Sequence, residues 1–225
     1  MTCSKSSRSR KPPRRNSVLR VALTGGIACG KSVVAKILAD KGCVVYSADE
    51  AARDLMRPGR AAWKQVAARF GPAILLPDRT IDRSALGAIV FSDPAARRFL
   101  DRLIHPLVAA DQVRTVRRLE REGRARIFVV EAALTIEAGY AGLFDRVVVA
   151  HCGGPEQLRR LRRRDGISRA AALRKIGSQM PLREKLRHAD YVVDTSGTIA
   201  ATVDETERVY AQLVRDAELK RRGQT

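Results

Sequence analysis

Apolar positions along the chain change period in a way that lays out its elements. Val18–Thr24 is a short, nearly continuous apolar run, the pattern of a strand buried on both faces. A glycine-rich turn follows, and apolar residues then recur at helical spacing from about Lys31 to Lys41, where Gly42 supplies a stop. Cys43–Tyr46 is a second strand, and Asp49 stands where a helix N-cap would open the next helix. A strand–loop–helix–strand–helix opening predicts a parallel sheet and an α/β fold.

From about Gly59 to Gly123 the pattern is helical, punctuated by Gly71-Pro72, Pro77-Asp78 and Asp93-Pro94, with no convincing strand. The longest stretch, Pro94 to Glu122, contains Pro106, which predicts a break or kink. Strand character returns at Ile127–Glu131 and Arg146–His151. Pro155 then opens a helix, Ser168 caps another that Pro181 interrupts, Tyr191–Asp194 is a last strand, and Thr198 caps a final helix to about Leu219. The expected organisation is one domain over 18–219. Its core is 18–58, 124–154 and 188–219, a helical insertion at 59–123 faces the substrate, 155–187 form a lid, and 220–225 fray.

Gly25-Gly26-Ile27-Ala28-Cys29-Gly30-Lys31-Ser32 fits G-x-x-x-x-G-K-[ST] and lies between a predicted strand and a predicted helix, the context this motif requires. Glycines let the backbone wrap phosphate oxygens with its N–H groups pointing inward, and the helix start adds its positive dipole end. Lys31 is expected to reach the β- and γ-phosphates and Ser32 to ligate Mg²⁺, with Val33 ending the run of cradle residues. Cys29 inside the loop is either a tolerated small side chain or a thiol acidified by the helix N-terminus and open to oxidation.

Composition narrows the partners. Of 225 residues, 45% are apolar but only 4% aromatic, so the core is aliphatic. The formal net charge is +19, which suits phosphate-rich partners. Six of those charges, Lys5, Arg8, Arg10, Lys11, Arg14 and Arg15, sit in an acid-free segment over residues 1–17 that reads as a disordered tail. No apolar run approaches the roughly 20 residues of a membrane span, and there is no secretory h-region. The four cysteines have no zinc spacing and read as reduced thiols of a cytoplasmic protein. A monomer and a small homo-oligomer both stay open.

P-loops serve GTPases, motors, helicases and kinases. No guanine-reading N-K-x-D is present, and the chain is short for a helicase. A kinase needs a carboxylate near the acceptor hydroxyl, cations on the transferred phosphoryl group and a lid against water. Asp49, at the carboxyl end of the second strand, is either that carboxylate, a helix cap, or both. Arg159–Arg164, with five arginines in six positions, is either a solvated helix face or a phosphate-facing lid. The rival is a nucleic-acid-binding ATPase, although base-stacking aromatics are scarce.

The motifs together resemble the dephospho-coenzyme A kinase family over about Val18 to Arg215. T-G-G-I-A-C-G-K-S is close to the family's T-G-G-I-x-S-G-K-S, and S-A-D-E-A-A-R at Ser47–Arg53 to its D-A-D-x-x-A-R. His105-Pro106-Leu107 matches an H-P motif, and Glu131–Glu137, E-A-A-L-T-I-E, resembles D-x-P-L-L-F-E. Gln157, Leu158, Arg160 and Arg164-Asp165-Gly166 follow the lid pattern, and Gln179, Lys185 and Ala189–Asp194 resemble its later Q…K…A-D-Y-V-I-D.

The resemblance implies a P-loop, nucleotide-kinase-like fold with a five-stranded parallel core, and transfer of the ATP γ-phosphate to the ribose 3′-hydroxyl of dephospho-CoA. It implies catalytic roles for Lys31, Asp49, Arg53, Arg160 and Arg164, and acceptor binding by Asp49, His105 and Glu137. Alone, a histidine before proline such as His105 reads first as a packed or capping group, and the acceptor role is what the resemblance adds. Glu131 is either a strand-end acid or an aid to Mg²⁺ through water. Ser47, Ala133, Thr135 and Thr195 depart from the family pattern around the acceptor. Another small-molecule kinase of the same fold, and no specific nucleic-acid or membrane partner, complete the expectations.

Overall fold

The computed structural model describes residues 17–123 and 125–224. The basic tail expected over 1–17 lies, except for Ser17, outside the described residues. In chain order the elements are β1 (Leu19–Gly25), α1 (Lys31–Asp40), β2 (Val44–Ser47), α2 (Ala48–Leu55), α3 (Ala61–Phe70), α4 (Arg83–Ser92), α5 (Pro94–Glu122) and β3 (Ile127–Glu131). They continue with β4 (Arg146–His151), α6 (Gly154–Asp165), α7 (Arg169–Gly177), α8 (Leu182–Leu186), β5 (Tyr191–Asp194) and α9 (Ile199–Arg222).

The five strands form one parallel sheet in the order β2-β3-β1-β4-β5. Strand alternation sorts the core into two faces. Leu19, Val21 and Leu23 with Val129 and Val148 face α1 and α9, where Val34, Leu38, Leu213 and Ala217 close the layer. Phe128 and Val130 face Val116 and Leu119 of α5, and Val147 and Val149 face Leu182 and Leu186 of α8. Both faces of each central strand are therefore buried, which explains the unbroken apolar runs. A satellite core joins α2, α3, α4 and α5 through Ala62, Val66, Ile74, Leu86, Ile104 and Val108.

Three sequence expectations are corrected. Ser47 caps α2, its hydroxyl accepting from Glu50 N, and Asp49 falls inside the first turn. Helix α5 runs from Pro94 to Glu122 without a break at Pro106. Proline there removes one hydrogen bond, but packing on α2 and α3 before it and on the sheet after it holds the helix together. Helix α9 does not fray at Lys220 but continues to Arg222. The Lys220 ammonium donates to Val18 O at 3.0 Å and pairs with Asp145, anchoring the last turn to the start of β1.

Candidate active site

Parallel pairing brings the carboxyl ends of the strands to one edge. Glu131 at the end of β3 is in register with Ser47 of β2 on one side and Leu23 of β1 on the other. The loop after β1 and the start of α2 therefore flank the same carboxylate.

The loop has the shape of a phosphate cradle. Gly25 has φ 148° and lies so close to β4 that a Cβ would run into the carbonyl oxygen of Ala150. Gly30 has φ 73° and packs on Thr195, whose side-chain atoms would lie 3.1–3.2 Å from an added Cβ. Ala28 also has positive φ, 59°. Gly30 O accepts from Val33 N at 3.0 Å, which starts α1.

Lys31 folds back over this loop and donates to Gly25 O and Gly26 O at 3.2 and 3.1 Å. Burial pushes its ammonium below the ordinary lysine value, while Cys29, Glu131 and Asp49 pull it up and Lys185 pushes it down. A partly desolvated cation held by two carbonyls, beside a backbone bent as an anion nest, fits triphosphate oxygens. Ser32 Oγ donates to Glu131 Oε1 at 2.9 Å, so a hydroxyl and a carboxylate meet where a hard cation beside those phosphates would find oxygen ligands.

The peptide of Ile27 is held from both sides. Its N–H donates to Gln179 Oε1 at 2.7 Å, and its carbonyl accepts from Gln157 Nε2 at 3.0 Å. Gln157 is in α6 and Gln179 in the turn after α7, so the segment 155–187 expected to form a lid is hydrogen-bonded to the cradle. Both glutamines stood in the sequence motifs, but their spacing carried no sign of a shared partner.

Beside the cradle is a cavity of about 650 Å³ between the sheet edge and the insertion helices. That size is ordinary for a small-molecule site. Asp49, His105, Ala133, Thr135, Tyr140 and Gln179 are among its lining residues, in a largely apolar wall. Asp49 therefore lies on the cavity and within electrostatic range of Lys31. His105 Nδ1 is 3.2 Å from the Tyr140 hydroxyl, with the rings edge to face, and Nε2 is 3.7 Å from Asp101. Sequence reasoning missed Tyr140 and Asp101: the first is 35 positions from His105 and nothing local marks it.

The remaining candidates separate. Arg160 bonds Glu156 and donates to Thr195 Oγ1 at 3.2 Å and Thr195 O at 2.7 Å, and Thr195 Oγ1 in turn donates to Cys29 O. Arg160 thus reaches the back of the cradle. Arg164 instead pairs with Asp165 at 2.8 Å on the outer side of α6. Arg53 is exposed one turn after Asp49.

Glu137, expected to bind the acceptor, does not border the cavity. Its Oε1 pairs at 2.5 Å with Lys185, a lysine only 1% exposed, and its Oε2 has no hydrogen-bond partner among the described residues. Lys185 also donates to Ala133 O, which accepts from Thr24 Oγ1 as well. A lysine this buried requires a counter-charge, and in this structure Glu137 supplies it.

Among the described residues no helix is long and apolar enough to cross a membrane. The family model for dephospho-CoA kinase matches residues 19–201. Dephospho-CoA kinase of Geobacter sulfurreducens is 41% identical over 192 residues, which cover 85% of this chain and 97% of that one. Among solved structures, TT1252 from Thermus thermophilus matches with a TM-score of 0.74 at 29% identity, covering 87% of this chain and 98% of that one. Dephospho-CoA kinase from Campylobacter jejuni matches with a TM-score of 0.65 at 29% identity, covering 88% and 98%. These similarities span the sheet and the helices between its strands as well as the phosphate loop, and the chain belongs to the dephospho-CoA kinase family.

Proposed function

We propose that the cradle of residues 25–33 binds ATP, that the neighbouring cavity binds dephospho-CoA, and that Asp49 handles the proton between them. The reaction of the family is transfer of the ATP γ-phosphate to the ribose 3′-hydroxyl. The placement of Asp49 carries the residue assignment: it lines the cavity while lying close enough to the cradle to act on the charge of Lys31.

In this scheme the loop amides and Lys31 hold and neutralise the donor phosphates. Asp49 accepts the hydrogen of the acceptor hydroxyl, orients its lone pair toward phosphorus and takes its proton as the new O–P bond forms and the bond from the γ-phosphorus to the β–γ bridging oxygen breaks, with ADP leaving. Arg160 stands behind the cradle, ready to exchange its contacts with Thr195 for phosphate oxygens. His105, steadied by Tyr140 and Asp101, and the apolar wall hold the acceptor. Residues 59–123 serve as the acceptor-binding insertion and 155–187 as the lid, closing against water. Positioning and electrostatics supply most of the rate enhancement, since phosphoryl transfer needs little covalent help.

Ser32 would ligate Mg²⁺ with Glu131 behind it, and the ion when bound spreads the charge of the phosphates. The three described cysteines, Cys29, Cys43 and Cys152, are free thiols, which suits work in the cytoplasm. The test is ADP release with MgATP and dephospho-CoA, adenosine, nucleoside monophosphates or single-stranded DNA. Release that depends on dephospho-CoA and yields CoA is expected. Stimulation by DNA instead would favour a nucleic-acid-dependent ATPase, and response to another acceptor would reassign the cavity.

A further inference from the structure

Cys29 projects from the phosphate loop toward Cys152, the residue after β4, and the two sulfurs lie 3.6 Å apart with Cys152 donating to Cys29. The residues are 123 positions apart, and both are buried, 3% and 2% exposed. We propose that this pair is an oxidation site: a peroxide converts it to a Cys29–Cys152 disulfide that distorts the cradle and switches off phosphoryl transfer. The switching part rests on the reading of residues 25–33 as the ATP cradle.

The sulfur–sulfur contact also distinguishes the two thiols. The donated S–H leaves Cys29 as the sulfur that carries negative charge. That hydrogen bond, aided by Lys31 and Arg160, holds the Cys29 thiol down at about 6, while Cys152 is pushed up. One thiol is thus an attacking thiolate and the other a resolving thiol that keeps its proton. By contrast Cys43, buried without such neighbours, is pushed up to about 12 and is an internal control for an inert thiol. Close burial favours a small oxidant over a bulky disulfide such as oxidised glutathione.

The chemistry balances in two steps. The Cys29 thiolate attacks one peroxide oxygen, the O–O bond breaks, and Cys29 becomes a sulfenic acid while the departing oxygen takes a proton as water. Cys152 sulfur then attacks the Cys29 sulfur. The S–S bond forms, the S–O bond breaks, and the hydroxide leaves with the Cys152 proton as a second water. Two thiols and one hydrogen peroxide give one disulfide and two waters.

Bonding requires the sulfurs to close from 3.6 Å to about 2.05 Å. Cys29 has little slack. Its N–H donates to Gly26 O at 3.2 Å, its carbonyl accepts from Thr195 Oγ1, and Gly30 beside it packs on Thr195. Closure therefore moves the loop amides relative to Lys31. A misplacement of about 1 Å in such a site costs on the order of a hundredfold in rate.

The test uses the full chain in a Cys3→Ser background, which removes the tail thiol. Reduced protein is treated with hydrogen peroxide, with and without MgATP, digested without reductant and analysed by mass spectrometry, and kinase activity is followed in parallel. A Cys29–Cys152 linked peptide, reduced Cys43, protection by MgATP and at least a tenfold activity loss reversed by dithiothreitol are expected. Cys152→Ser and Cys152→Ala should keep basal activity and give no linked peptide. Absence of the linked peptide from oxidised wild type, a sulfinic or sulfonic Cys29 in preference to it, or a linked protein that stays active would overturn the proposal. Reduced protein that fails to bind MgATP would instead refute the reading of the cradle.

Discussion

Lys185 offers the sharpest energetic test of the fold. Its side chain is 1% exposed, and its ammonium is held by Glu137 Oε1 at 2.5 Å and Ala133 O at 3.0 Å. Replacing it in Lys185→Met keeps the side-chain length but strands a carboxylate that is only 20% exposed and whose Oε2 already has no partner among the described residues. Removing one member of a buried pair costs about 3–5 kcal/mol, because the remaining charge keeps its desolvation penalty and loses its counter-ion. The partial exposure of Glu137 places the expected loss near the lower end, about 3 kcal/mol. Ala133 O still accepts from Thr24 at 3.1 Å, so it adds little.

Against a domain stability of about 5–15 kcal/mol, that is a large fraction. With a urea slope of about 2–3 kcal/mol/M the midpoint should fall by roughly 1–1.5 M. In Glu137→Leu/Lys185→Met the stranded charge is gone, and stability should recover to within about 1 kcal/mol of wild type. Equilibrium urea unfolding of wild type, both single variants and the double variant closes the cycle. A Lys185→Met protein within 1 kcal/mol of wild type, or a double variant no more stable than that single, would refute the buried-pair reading. Kinase activity of the recovered double variant then tells whether Lys185, which lies near enough to Lys31 to depress it, also serves the phosphates.

Other outcomes follow from the site. Asp49→Asn should fold normally, since Ser47 provides the α2 cap, and should lower kcat by about 10²–10⁴, the usual contribution of a general base; near wild-type turnover in the coupled ADP assay would remove it from that role. Gln179→Ala should lower kcat/KM about tenfold while costing only about 0.5–1.5 kcal/mol in thermal unfolding, because the lost bond steadies Ile27 rather than the core. Asp165 bridges α6 and α7 through Arg164 and Lys175, which hold its carboxyl down at about 2 against an ordinary 3.8. Its folded value is depressed, so its contribution is complete well above 3.8 and disappears as pH falls through about 2. Protection of the α7 amides, taken relative to their intrinsic exchange rates, should fall as pH drops through that window in wild type and change less in Asp165→Asn.

What could be read from the chain in advance depended on how far apart the cooperating residues lie. The phosphate loop is a contiguous segment whose glycines, lysine and serine act on one another within eight positions, so a pattern search finds it. Strand boundaries followed from apolar runs because every central strand is buried on both faces. Where two nearby residues compete for one role, local pattern points to the wrong one. Ser47 and Asp49 are both good caps, and only the register of β2 against β3, which ends at Ser47 opposite Glu131, decides for Ser47 and frees Asp49 for the cavity. Pro106 marks a break by local rules, yet the packing of α5 on two different cores outweighs one lost hydrogen bond. Pairings across long sequence distance left no local trace: His105 with Tyr140, Glu137 with Lys185, Cys29 with Cys152 and Ile27 with two glutamines. These contacts join the phosphate loop, the neighbouring cavity and the segment from α6 to α8. The sequence motifs thus mark the groups suited to chemistry, while the long-range contacts set where those groups stand relative to one another.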